Sequence, residues 1–161
     1  MRHYFPLAAA LAALAMLPSA RAEAQANDGQ VTYLGHDQVK AAFVKGSPLI
    51  EVTDYKIHAS RRESVPGLAE IHTRDTDIIY VLEGSATLVT GGRAIEAKST
   101  GPEELRGSAI EGGETREIVP GDVVVVPNGT PHWFKQVRGP LLYYVVKVRQ
   151  AGRESAAGAT Q

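Results

Sequence analysis

Cysteine is absent from the 161-residue chain, so disulfides and thiolate chemistry are excluded. Tryptophan occurs once and methionine twice. The longest apolar run, near the N-terminus, falls short of the roughly 20 residues that a membrane-spanning helix needs, with a retained N-terminal anchor as the alternative to a cleaved segment. Neither sign of charge dominates: 17 Lys and Arg stand against 18 Asp and Glu, a formal charge of −1. That balance argues against a nucleic-acid partner, because phosphate neutralisation needs a basic surface. It gives no reason to expect adhesion to an anionic membrane. Gly-x-Ser-x-Gly, a phosphate loop and the Rossmann glycine pattern are all missing. The length suits one domain, large enough to bury a core without disulfide staples.

The N-terminus has the layout of a secretory signal. Met1-Arg2-His3 is a short basic start, Leu7 to Leu17 is alanine-rich and apolar, and Ala20, Ala22, Ala24 and Ala26 repeat at alternate positions. Cleavage after Ala22, Ala24 or Ala26 each fits an Ala-x-Ala site, so residues 1–26 are read as a signal peptide. Cleavage after Ala26 removes Arg2, Arg21 and Glu23, which leaves 15 basic and 17 acidic residues and a formal charge of −2. The alanine and arginine content of the two ends is of a bacterial kind, which places the mature protein in the periplasm or the medium.

Residues 27–48 are expected to form an extension with one short helix. Asp37 is its candidate N-cap, Gln38 to Lys45 its body and Gly46 its left-handed stop, with Val39, Ala42 and Phe43 on the apolar face. From Leu49 the signals are β: 49–57, 78–82, 87–89, 123–126 and 141–146 are short β-branched or aromatic runs with glycine-containing breaks between them. Several short strands with turn punctuation imply a sandwich or barrel over residues 49–150. Gly91-Gly92 suits a hairpin turn. The polar stretch 96–116 is expected to be an extended excursion, and residues 151–161 a frayed, flexible tail.

The best-ordered run is Gly121-Asp-Val-Val-Val-Val-Pro127-Asn-Gly129-Thr-Pro-His132-Trp-Phe-Lys-Gln136. It reads as strand, tight turn and strand, with one histidine just past the turn. A second run is Glu70-Ile-His72-Thr-Arg-Asp-Thr-Asp77, with six residues between Asp77 and Gly84. Residues i and i+2 of a strand share a face, so Glu70 and His72 project together. By the same alternation Phe134 and Gln136 should line the interior beside His132, and Trp133 should face the other way, into packing or a subunit interface. Arg61 and Arg62 read as a solvated strand end, with steering of an anionic substrate as the alternative. His36 reads as a surface or helix-capping residue and His58 as structural. Asp75-Thr76-Asp77 lacks the glycine and distal glutamate of a calcium loop.

The two runs resemble the paired signatures of the cupin family. In the later one Gly121, Pro127, Gly129 and His132 match, and Gln136 stands where the family has asparagine. In the earlier one His72 falls on the second histidine, Asp77 on the glutamate and Glu70 on the first histidine, with Gly84 closing the pattern. A shifted register, with His72 as the first histidine and Arg74 in place of the second, needs a shorter spacing to Asp77. The resemblance implies an all-β cupin-type double-stranded β-helix, or jelly-roll barrel, with a short N-terminal helix. It also implies a homodimer and a divalent metal site drawn from His72, His132, Glu70 and Asp77. Two imidazoles with one or two carboxylates suit Fe, Mn, Zn, Ni or Cu. Phe134 and Gln136 would then line a small-molecule pocket. The implied function is an exported cupin that holds such a metal and acts on or binds a small molecule, as an oxygenase, isomerase, lyase or hydrolase. The rival reading is a non-catalytic binding or accessory cupin with a degenerate metal site.

Overall fold

A computed structural model describes residues 29–149. The signal peptide expected over 1–26 and the tail expected over 151–161 lie outside the described residues. One helix, α1 (His36–Lys45), precedes eleven strands: β1 (Pro48–Glu51), β2 (Tyr55–Arg62), β3 (Ala69–His72), β4 (Asp75–Thr90), β5 (Arg93–Ile95), β6 (Lys98–Gly101), β7 (Glu104–Gly107), β8 (Ala109–Glu111), β9 (Glu114–Ile118), β10 (Val123–Val126) and β11 (His132–Arg149).

The helix begins earlier than the sequence suggested. Gly35, not Asp37, is the N-cap, because the Gln38 side chain reaches back and accepts the Gly35 N–H at 3.0 Å. Asp37 instead sits in the first turn, where a carboxylate still complements the helix dipole. Gly46 ends the helix in the left-handed region at φ 64°. Ala42 is the buried residue of the helix, and Phe43 meets the Tyr144 ring edge-on at 5.0 Å between centroids.

Two long antiparallel strands carry the architecture. β4 and β11 pair almost end to end, and β11 also pairs with β2 and, at His132, with β3. β9 and β10 add to β4, while β7 and β6 continue from β3. β5 and β8 form a separate two-stranded sheet. All pairings are antiparallel, and the sheets close into the barrel of a jelly roll. The long pair bends midway, where its register shifts between Arg138 and Leu142 opposite Gly84. Gly84 has φ +76°, and a Cβ there would lie 2.5 Å from the Pro140 carbonyl oxygen, so no side chain fits at the crossing.

Alternation decides which face is core. Ile79 and Val81 of β4, Val126 of β10 and Leu141, Tyr143 and Val145 of β11 point inward and are buried. Tyr80, Val123, Val125 and Val148, of opposite parity, are exposed on the outer face. The extended stretch 96–116 is built mostly of short strands, with β7 paired between β3 and β6. Its polar residues lack an alternating hydrophobic pattern of their own, so they take their order from backbone pairing with β3 and β4, which have one.

Candidate functional site

β3 is a four-residue strand in which Glu70 and His72 share a face, as the i, i+2 spacing requires. His132 opens β11 directly opposite Glu70 in the β11–β3 register. One ligand atom from each of Glu70, His72 and His132 lies within 4.8 Å of the other two. The two imidazole rings are 5.2 Å apart between centroids. His132 Nδ1 lies 3.4 Å from the Thr130 carbonyl, which can only accept, so that nitrogen carries the proton and Nε2 keeps its lone pair. His72 Nε2 is buried and makes no hydrogen bond; its nearest carboxylate oxygens are Asp77 Oδ2 at 3.4 Å and Glu70 Oε2 at 3.7 Å.

The protonation states suit ligation. Burial pushes the His132 and His72 imidazoles below the usual histidine value. The Lys147 ammonium pushes His72 down further, and the surrounding carboxylates only partly oppose this. Both rings are therefore neutral at pH 7, the form that binds metals. Burial alone would raise the Glu70 carboxyl, but the Arg62 and Arg106 guanidiniums outweigh it, and the group ionises more readily than a free glutamate. An unpartnered buried ring nitrogen, a second imidazole and an ionised carboxylate make a donor set that fits a divalent first-row metal.

Asp77 stands beside this trio. It faces inward from β4, buried, with Oδ2 3.8 Å from His132 Nε2. Both its oxygens accept from Lys147 Nζ at 2.8 Å, from the residue opposite it on β11. The lysine thus occupies a carboxylate that the sequence placed among the metal ligands. Lys147 was not singled out from the sequence, although a signal was available: it has the same parity as Leu141, Tyr143 and Val145, so its alkyl stem must enter the core.

Above the trio lies a cavity of about 410 Å³. Phe134 lines it as expected. Gln136 does not, and the reason is a β-bulge. Phe134 faces Leu88 and Gln136 faces Thr87, so two residues of β11 span one step of β4 and Lys135 is the extra one. Lys135 and Gln136 are both exposed, Val137 returns to the core, and the Gln136 side-chain Oε1 accepts from Arg138 Nη2 at 3.3 Å. Trp133 is half-buried and donates its indole N–H to the Gly67 carbonyl at 2.6 Å. His58, read as structural, lines the cavity from β2.

The solvated reading of the paired arginines holds for Arg61, which is exposed and bonds Glu63 at 2.6 Å. Arg62 turns inward instead. Its Nε donates to the Tyr143 hydroxyl at 3.0 Å and its Nη2 to Glu70 Oε1 at 3.0 Å, and its guanidinium lies 4.5 Å over the Phe134 ring. Burial pushes the Tyr143 phenol above its ordinary value, so it stays protonated at neutral pH.

The family model described as Cupin matches residues 62–160. No curated protein matches the sequence. Among solved structures, a protein of Bacillus halodurans superposes with a TM-score of 0.51 at 16% identity, over 78% of this chain and 86% of that one. KdgF from Halomonas sp. gives 0.47 at 18% identity, over 65% and 79%. A sugar phosphate isomerase from Silicibacter pomeroyi gives 0.42 at 19% identity, over 62% and 53%. The family match spans more than half the sequence and includes both histidines of the trio, and the chain belongs to the cupin family.

Proposed function

We propose that this cupin binds one divalent metal ion through Glu70, His72 and His132 and acts on a small molecule in the adjoining cavity. The observation that carries the reading is the His72 ring: a neutral, buried nitrogen without a hydrogen bond, facing a second neutral imidazole and an ionised carboxylate. Leaving such an atom unpaired costs about 1–3 kcal/mol, which coordination would recover. The metal would supply Lewis acidity or activation of a bound oxygen species. The chain's own residues have separate tasks. Thr130 orients His132 through its carbonyl. Lys147 balances the Asp77 charge and competes for both oxygens of that carboxylate. Arg62 and Tyr143 hold fixed donors on the cavity wall, and Phe134 closes its apolar side.

Export to the periplasm or medium belongs to the same reading, and its support is the signal pattern of residues 1–26. A homodimer is supported by the outward apolar surface of Tyr80, Val123, Val125 and Val148 on three adjacent strands.

The test is elemental analysis of the mature protein purified without a nickel column, beside His132→Ala and Glu70→Ala. Near-stoichiometric metal in the wild type, lost in His132→Ala and reduced in Glu70→Ala, is the expected result. A wild type that is metal-free and takes up no added Fe(II), Mn(II), Zn(II) or Cu(II) overturns the metal reading and leaves a binding or accessory role.

A further inference from the structure

The charged groups around the cavity are unevenly committed. Arg61, Arg62, Arg106 and Lys147 line it against Glu70, Asp77 and Glu104. Lys147 is saturated by Asp77, and Arg61 is drawn off to Glu63. Arg62 and Arg106 remain, standing on either side of Glu70. Arg62 Nη2 is 3.0 Å and Arg106 Nη1 3.9 Å from the same oxygen, Glu70 Oε1. Arg106 also holds Glu104 at 2.6 Å. The two guanidiniums and two carboxylates just balance while Glu70 serves the arginines alone.

That balance fails once Glu70 also serves a dication. We propose that the cavity is built for a small organic oxyanion, whose carboxylate or phosphate group docks between Arg62 and Arg106 next to the metal. The inference rests on the metal reading given above and adds the substrate class. Three features of the wall support it. Arg62 is immobilised by Tyr143, Glu70 and the Phe134 ring, so presenting its donors to a ligand costs little ordering entropy. Gly67 makes room for it: a Cβ there would lie 2.7 Å from Arg62 Nη1. Arg106, with a side chain 39% exposed, stands in β7 opposite Glu70, so it can turn to an incoming anion. A guanidinium offers paired N–H donors matched to a carboxylate or phosphate, and it keeps its charge at all working pH values. The volume, about 410 Å³, suits a metabolite-sized ligand.

The experiment uses mature protein loaded with Co(II), with cobalt content measured in every sample. Malonate, inorganic phosphate and the neutral analogue malonamide are titrated in turn, and binding is read from the cobalt visible spectrum and by calorimetry. Malonate or phosphate should bind and shift the spectrum, and malonamide should not. Whichever anion binds more tightly identifies a carboxylate or a phosphate ester as the natural group. Arg106→Gln, on the exposed rim, should weaken anion binding about tenfold, a loss of about 1.4 kcal/mol, at unchanged cobalt content. Arg62→Gln should weaken it at least as much, and removing cobalt with chelator should do the same. Malonamide binding as well as malonate, or Arg106→Gln binding like the wild type, overturns the proposal while leaving the metal site standing. Failure to take up cobalt at all overturns both, and the cobalt measurement separates the two failures.

Discussion

Lys147→Met should cost the metal-free protein about 3 kcal/mol and, at the same time, make metal stabilise it more. The reasoning starts from exposure. The Asp77 side chain is 5% exposed and that of Lys147 15%, and the ammonium bonds both carboxylate oxygens at 2.8 Å. Removing one partner of a buried pair costs about 3–5 kcal/mol, mostly because the other charge stays behind in a poor solvent. The residual exposure of Lys147 puts this pair at the lower end. For a domain of this size such a loss lowers Tm by about 10 °C. Methionine keeps the alkyl volume, so the change is electrostatic rather than a cavity effect. The freed carboxylate lies 3.4 Å from His72 Nε2 and 3.8 Å from His132 Nε2, close enough to join the metal ligands. Thermal unfolding of chelator-treated and Zn(II)-loaded protein at pH 7.5 reads both effects. The double variant Lys147→Met/Asp77→Asn is the control, since removing both charges should restore all but about 1 kcal/mol. The reasoning fails if the single variant loses under about 1 kcal/mol, if the double variant is no more stable than the single, or if zinc stabilises the wild type and Lys147→Met equally.

Two further outcomes follow from the same geometry. His58, His72 and His132 are all held below the ordinary histidine value of 6.5, chiefly by burial. Below that pH the unfolded chain binds protons that the folded one refuses, so stability of the metal-free protein should fall as pH drops from about 6.5, by up to about 1.4 kcal/mol per pH unit for each such histidine. Glu70, also lowered, adds a loss of the same sign below its ordinary value of 4.5; a urea-unfolding series from pH 8 to 4 that stays flat across 6.5 would contradict this. Gln136→Ala should leave metal content and anion affinity unchanged and stability within about 0.5 kcal/mol, because the bulge at Lys135 turns its side chain outward; a loss of bound metal in that variant would place Gln136 back in the barrel.

What could be read from the sequence was whatever local rules govern. Strand alternation placed Glu70 and His72 on one face, and the Pro127-Asn128-Gly129 turn placed His132 at the mouth of the next strand. Alternating valines, tyrosines and leucines announced the β-barrel, and Gly46 announced the end of the helix. These depend on near neighbours, and near neighbours are adjacent in the chain. The departures arose mostly where a distant partner decided, the helix cap being the local exception. A bulge against β4 inverted the parity of Gln136. The Gln38 side chain moved the helix cap from Asp37 to Gly35. Pairing with β3 and β4 gave order to the polar residues between 96 and 116. Above all, sequence alone did not show that Lys147 stands opposite Asp77, or that Arg62 reaches across to Tyr143 and Glu70. Those contacts join residues 70, 81 and 8 positions apart. They exist only because β2, β3, β4 and β11 close around one interior, where each buried charge must find a counter-charge. Local pattern thus determined the fold class and the residue types of the candidate site. Tertiary closure decided which charge answers which, and so what the cavity is fitted to hold.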